Sequence, residues 1–475
     1  MKLKSGIAVA ASLLTLLVVM VVSPAPVQAQ VDPPPVIDWD SGNQSALTDT
    51  FIVKKKNFGR TAIEIVGLNL LVWSYDYYIR PDGNDGFRIG FQSWIENLKN
   101  GFEWDDNNFN TNQFAHPYHG SLYFNAARSN GYSFWEAVPF TFAGSFGWEY
   151  FGETHHPSMN DWIATSVGGT AVGEILHRFS KSIRDNTARG SSRNWRELGG
   201  FVVNPVGGLN RIIDGDWARV HANEPDRFPK NYKSQFDTGL RTVGEEEIWS
   251  SDTTRVFVQF DFEYGDPFFG DMGKPFDSFD LGLQLNFGDK SVIGRVEVDG
   301  LLGGTYLKDT IQVGHIVGAY HHFDFIHNQQ IEFGGQSIGA AMLSRYQTVA
   351  GMEMRTELHL NGIILGASST DYASQSGRTY DYGPGLSANL VAQFSSQGFH
   401  YLRFSHEQNW LHTVNGTSSE HHLSVTRLRL GVPVHHNIGA GFEYVLMLNE
   451  REYKDYPDVS IRRPQTRFFV TWVMN

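Results

Sequence analysis

Imidazoles and carboxylates recur at close spacing among aromatic residues between His116 and Glu174. His119 follows His116 by three positions, Glu153 follows Glu149 by four, and Asp161 and Glu174 lie just beyond. Residues three and four apart share one face of a helix. Phe146, Trp148, Tyr150 and Phe151 surround the two glutamates, which is unlike a solvated face. Such groups drawn together in apolar surroundings suit a divalent metal site or an acid/base pair with shifted pKa values. Glu149 or Glu153 would activate water or bind the metal, with His119 as fellow ligand or acid/base partner. His119, Glu149, Glu153 and Asp161 are therefore the candidate catalytic set, and the identity of any metal is open.

Each residue also has a plainer use. Asp161 could cap a helix, Glu174 could pair with Arg178 one turn on, and His116 could simply flank a helix start. The chain has no H-E-x-x-H, no G-x-S-x-G and no Gly-rich phosphate loop. Asp105-Asp106-Asn107-Asn108 lacks calcium-loop spacing and reads as a polar turn.

The elements that must hold these residues read as helices over 59–185. An apolar run covers 61–79, and Phe91–Asn100 is amphipathic and closed by Gly101. A helix over 116–128 has Pro117 near its start, and Ser133 with Glu136 forms a capping box opening the next. A last long helix over 158–183 carries Gly169-x-x-x-Gly173, which lets a partner helix approach closely.

From Lys233 onward the period changes to two. Val258, Phe260 and Phe262 alternate with Gln259, Asp261 and Glu263, and 279–287 repeats the pattern. About twelve such strands follow, near 233–244, 253–264, 276–288, 290–307, 310–326, 330–345, 347–365, 379–395, 398–413, 419–433, 436–449 and 463–474. Each is long enough for a tilted membrane crossing, and the even number suits a closed barrel. With the first strand leaving the periplasm, four of five periplasmic turns are short, while the outer loops at 368–379, 413–420 and 449–464 are long and polar. Arg295, Glu297 and Asp299, then Glu353, Arg355 and Glu357, put charges of both signs on the lumen face. The expected fold is α+β, an apolar helical domain followed by a roughly twelve-stranded antiparallel transmembrane barrel.

The chain opens with Lys2 and Lys4, an apolar stretch over 6–22 and Val27-Gln28-Ala29, the pattern of a signal peptide cleaved after Ala29. Residues 30–58 read as a Pro-rich disordered linker, 59–215 as the helical domain and 216–475 as the barrel. There is no cysteine, so disulfides and thiolate metal sites are excluded. A formal charge of −13 argues against nucleic acid as a partner. Phe468, Val470 and Trp472 alternate as an insertion signal for the barrel assembly machinery, although the chain runs on to Met474-Asn475.

Several short motifs occur together in order. They are Asn112 to Pro117, Gly120, Tyr123, Ala127-Arg128, Trp148-Glu149-Tyr150, Glu153, Pro157-Ser158-x-x-Asp161 and Gly173-Glu174. Asn204-Pro205 and Asn210-Arg211 extend them. Across about residues 60–220 the chain resembles the uncharacterised bacterial outer-membrane family known as domain of unknown function 3943. The resemblance implies a two-part architecture and marks these residues as a shared site, with His116, Arg128 and Glu174 as ligands or support. It supplies no reaction.

Three functions fit. The first is an outer-membrane barrel whose helical domain acts on envelope lipid or another envelope molecule, as a hydrolase or other envelope-modifying enzyme. Its helices would pack at the barrel mouth or on the inner leaflet, on the periplasmic side. The second is a channel with the helices as plug or periplasmic adaptor, and the third a structural or adhesive surface protein.

Overall fold

A computed structural model describes residues 54–79, 85–244, 253–289, 291–328, 331–348, 351–372, 377–396 and 398–474. The signal-peptide reading and most of the linker lie outside the described residues. Residues 54–57, assigned to the linker from sequence, are bound to the helical domain. Lys54 Nζ pairs with Asp214 at 3.0 Å, and Asn57 Oδ1 accepts from the Arg60 amide at 3.0 Å as the cap of α1 (Phe58–Tyr78).

The helices continue as α2 (Phe91–Asn100), α3 (His116–Ser129), α4 (Phe134–Phe151), α5 (Met159–Ile163), α6 (Gly169–Ile183), α7 (Gly190–Val203) and α8 (Pro205–Ile213). The capping box opens α4 as expected: the Ser133 amide donates to Glu136 Oε2 at 3.0 Å. The long helix expected over 158–183 is instead two helices joined by a π-turn, Ala164–Gly168. A second π-turn, Thr111–Ala115, precedes α3. Each widens the backbone ladder locally, a distortion common beside functional side chains.

The axis of the domain is the crossing of α3 and α6. A Cβ on Gly120 would lie 1.8 Å from the Thr165 carbonyl oxygen, and one on Gly169 would lie 2.6 Å from Gly120 Cα. Backbone therefore meets backbone, the close approach that the Gly169/Gly173 spacing announced.

Twelve antiparallel strands close into a barrel, each paired with its sequence neighbour and β1 with β12. They are β1 (Tyr232–Val243), β2 (Thr253–Tyr264), β3 (Phe279–Asn286), β4 (Ile293–Asp309), β5 (Val313–His327), β6 (Glu332–Gln347), β7 (Glu353–Ser369), β8 (Tyr380–Ser396), β9 (Phe399–His412), β10 (Ser419–His435), β11 (Ile438–Tyr453) and β12 (Val459–Met474). Two expectations fail. β7, expected over 347–365, runs from Glu353 to Ser369. The long outer loop at 449–464 shrinks to 454–458, because β11 and β12 stay paired through Asn449↔Ile461 and Arg451↔Val459. Strand extensions carrying Glu450, Glu452, Arg462 and Arg463 look like loop from composition, since polarity on both faces erases the period of two.

Register assigns the two faces. Asp261, Gly282, Glu297 and Asp324 form one row across β2–β5 and line the lumen. Ion pairs cross that interior between strands that are not neighbours: Asp237 to Arg429 at 2.6 Å and Glu297 to Arg427 at 3.0 Å. A buried ion pair needs such geometry to offset desolvation. Apolar layers narrow the lumen above and below, one of Ile363, Leu411, Leu423 and Met447, the other of Phe268, Met272, Leu301 and Leu343.

The opposite row, Phe260, Leu283, Val296 and Phe325, points outward and is nonetheless buried. The helical domain covers it. Phe179 packs at a tilt against Phe262 at 4.8 Å, Phe109 stacks on Phe325 at 5.7 Å, and Phe134 stacks on Phe276 of the turn before β3 at 5.5 Å. Tyr380 and Tyr382 of β8 are buried under the same domain, whereas elsewhere on the wall outward residues stay exposed, among them Leu240, Leu360, Leu386, Leu430 and Phe468. The helices therefore sit beside the barrel, neither at its mouth nor in its lumen. Their apolar faces match the outward wall, whereas the lumen is lined by charged side chains and crossed by their ion pairs.

Candidate functional site

His116 is the first residue of α3, aimed by the π-turn before it, and Thr165 Oγ1 of the second π-turn lies 3.2 Å from its Nδ1. Its Nε2 is 3.5 Å from Asp161 Oδ2 on α5. Glu149, in the last turn of α4, completes the group: one ligand atom from each of His116, Glu149 and Asp161 lies within 4.8 Å of the others. Glu149 and Asp161 are each 3% exposed, and His116 9%.

Each carboxylate has one oxygen held. The Ser158 amide donates to Glu149 Oε2 at 2.9 Å, and Asn160 Nδ2 donates to Asp161 Oδ1 at 2.7 Å. Glu149 Oε1 is buried with no hydrogen-bond partner among the described residues, and so is Asp105 Oδ2. An unpaired buried oxygen is costly, so a site with two of them beside an imidazole is suited to a cation.

Asp105 is the residue that sequence reasoning missed. The segment around Glu103 pairs in parallel with Ser158, and the Asp105 amide donates to Asn160 Oδ1 at 2.9 Å. This brings the Asp105 carboxyl against Asp161, whose proton affinity it helps to raise. An acidic run followed by asparagines looks like a surface turn, and no local signal shows it pairing with a strand-like segment more than fifty residues on.

The barrel wall closes the site. Asn160 Nδ2 donates to Tyr382 Oη at 3.2 Å, and Asn112 Nδ2 donates to Tyr380 and Tyr382 at 2.9 and 3.0 Å. Arg378 donates to the Asp105 carbonyl at 3.0 Å. The β8 tyrosines thus anchor the amides that orient Asp161.

Burial sets the electrostatics. It pushes Glu149 and Asp161 well above the ordinary carboxylate range, and the neighbouring acids add to this. Burial also lowers His116 to about 4, against the opposing pull of Asp105, and lowers His119 to about 3, helped by His116. Burial therefore disfavours the charged forms of both partners in the 3.5 Å His116–Asp161 contact, although its distance alone would pass for an ion pair. A bound dication would reverse both carboxyl shifts.

The other sequence candidates lie around this centre. His119 Nε2 is 2.8 Å from Tyr123 Oη, and its ring rests against Trp148. Glu153 lies beyond the end of α4 and accepts from Trp148 Nε1 at 2.6 Å. It is close enough to raise Glu149. Arg128 and Glu174 belong elsewhere. Arg128 Nε donates to Glu174 Oε2 at 2.8 Å, and Arg178 Nε to Glu174 Oε1 at 2.9 Å, a buried cross-brace between α3 and α6.

Residues 101–206 match the model of the family described as domain of unknown function (DUF3943), the family the motif order resembles. The matched stretch contains the whole His116–Glu149–Asp161–Asp105 group. No curated protein matches the sequence. Among solved structures the chain is similar to a CymD monoaromatic hydrocarbon channel, at 9% identity over 52% of this chain and 89% of that one, with a TM-score of 0.22. It is also similar to the outer membrane channel DcaP of Acinetobacter baumannii, at 9% identity over 51% and 96%, with a TM-score of 0.20. Likeness at this level says nothing about ligands or transport.

Proposed function

We propose that the barrel spans an outer membrane and that its wall-mounted helical domain is a divalent-metal site acting on envelope lipid. The observation that carries this is the free, buried Glu149 Oε1 in one group with His116 and Asp161. His116 Nε2, Glu149 Oε1 and the carboxyls of Asp161 and Asp105 would hold the ion, and Asn160 and Tyr382 would orient Asp161. Such an ion supplies Lewis-acid polarisation and lowers the pKa of bound water. His119 and Glu153, held by Tyr123 and Trp148, sit where they could move a proton at the edge of the site.

A lipid substrate is favoured by the surroundings. The exposed apolar belt of the barrel supports membrane insertion, and α1 also exposes Ile63, Val66, Leu70 and Leu71. α6 meets the 265–278 turn at the end where β1 begins, which supports a periplasmic position for that end of the helical domain. Passage through the lumen is the weaker reading, because its own ion pairs and apolar layers occupy it.

The test uses full-length protein purified in detergent, stripped with chelator and reloaded with zinc, manganese or magnesium. About one tightly held ion is expected in wild type and none in His116→Ala or Glu149→Gln. Equal metal content in all three would remove the site, and unchanged lipid profiles in strains carrying these variants would remove the lipid role.

A further inference from the structure

A second cleft opens at the far end of the helical domain, between α3, α6, the α7–α8 pair and the strap 223–227 that leads into β1. Arg128 lines it twelve residues after His116 on the same helix, so about 18 Å of helical rise separates the two sites. With its open mouth included, the cleft holds about 1170 Å³.

Its walls are cationic. Arg128, His177, Lys181, Arg184, Arg211 and Arg227 all line it, against two lining carboxylates, Glu224 and Asp226 on the strap. The carboxylates that balance most of them stand behind the wall: Glu174 and Glu197 are almost fully buried and do not line the cleft. Glu197 alone is shared by Arg211 at 2.5 Å, Arg193 at 3.6 Å and Arg184 at 3.8 Å. Arg184 and Arg227 otherwise bind backbone carbonyls, Arg184 donating to Gly200 at 2.9 Å and Arg227 to Ser182 at 3.1 Å. Arg184 Nε is buried without a hydrogen-bond acceptor, and Lys181 is the lining cation that pairs with acids on the strap, Asp226 at 2.6 Å and Glu224.

We infer that this cleft binds the phosphate group of an anionic ligand, with Arg184, Arg227 and His177 facing it and Lys181 exchanging its strap carboxylates for it. Guanidinium groups suit phosphate oxygens because their planar fork donates in pairs. The phosphate could belong to a membrane lipid headgroup or to a soluble molecule. α8, which carries Gly207 and Arg211 of the lining, and α7, joined to it through the lining residue Asn204, also expose Trp195, Leu198, Leu209, Ile212 and Ile213. Acyl chains could lie along that surface while the headgroup enters the cleft.

The test is ³¹P line broadening of two probes, inorganic phosphate and dihexanoyl phosphatidylglycerol, by the full-length protein in detergent. Binding of either probe with millimolar affinity or better is expected, and preference for the lipid probe by tenfold or more would assign the lipid source. His177→Glu, which sets a carboxylate into the cleft without removing a hydrogen bond, should weaken binding at least tenfold. Arg184→Gln should do the same, with heat-modifiable gel migration and helical content showing that both variants fold. No broadening by wild type, or equal broadening by wild type and His177→Glu, overturns the inference. The metal-site variants should leave this binding unchanged, so the two proposals fail separately.

Discussion

His116 Nε2 and Asp161 Oδ2 face each other at 3.5 Å in the interior, and burial drives both toward their neutral forms. The contact joins α3 to α5 across two π-turns, and it matters for what metal removal should do. Glu149 and Asp161 have folded pKa values raised above their unfolded ones. Their contribution to stability is therefore fully present below the ordinary carboxylate range and is lost as pH rises through the folded values. Metal-free protein should melt at progressively lower temperature from pH 5.5 toward pH 9, followed by helical circular dichroism. Added metal should abolish the slope, and Glu149→Gln should flatten it without metal. A flat wild-type profile in chelator would sink this account.

His116 and His119 act at the acid end. Their folded values, about 4 and about 3, lie below the ordinary 6.5. The stability they confer is present above about pH 6.5 and falls as the pH drops toward 4. Replacing His119 by Gln should lessen acid unfolding of the helical domain between pH 6 and 4. An unchanged acid midpoint would contradict the burial assigned to His119.

Tyr382 should matter for a metal it does not touch. Its hydroxyl receives Asn160 and Asn112, and Asn160 holds Asp161. Loss of such an outer partner commonly lowers metal affinity about 10–100-fold. Tyr382→Phe is expected in that range by calorimetric titration, with barrel folding intact. Wild-type affinity would show that the barrel wall does not position the site.

Gly120 is the tightest point of the helical domain. A methyl group there would collide with the Thr165 carbonyl and force α3 and α6 apart. Gly120→Ala should cost about 1–3 kcal/mol or more in unfolding of the helical domain. It should also displace Thr165 from His116 and weaken metal binding. Unaltered stability would mean the crossing is looser than its geometry.

In the lumen, Asp237→Asn should strand Arg429 and cost about 3–5 kcal/mol, whereas replacing both partners by apolar residues should be near neutral. Urea unfolding in detergent reads both. Planar-bilayer recordings of wild type should show no stable open conductance, since ion pairs cross the lumen and apolar layers narrow it on either side.

The sequence by itself determined the strands. Alternation is a local consequence of the pleat, so all twelve appear near where the period of two places them. The largest misses are at β7, which starts at Glu353 and runs to Ser369, past its expected end at 365, and around Glu450–Glu452 and Arg462, where polarity on both faces hides the strand. It likewise marked the capping box at Ser133 and the small residues at Gly169 and Gly173, because these too depend on near neighbours. Three matters were decided only in the tertiary structure. An outward apolar row such as Phe260, Leu283, Val296 and Phe325 is the same whether lipid or protein covers it, so the helices' place on the wall was not legible. Which of His116 and His119 turns to Asp161 depends on two π-turns that shift the helical phase. Asp105 joins the site through pairing of distant segments, which leaves no periodic trace. Period and spacing record what a residue's neighbours require, whereas a converging site depends on contacts made only when distant segments dock.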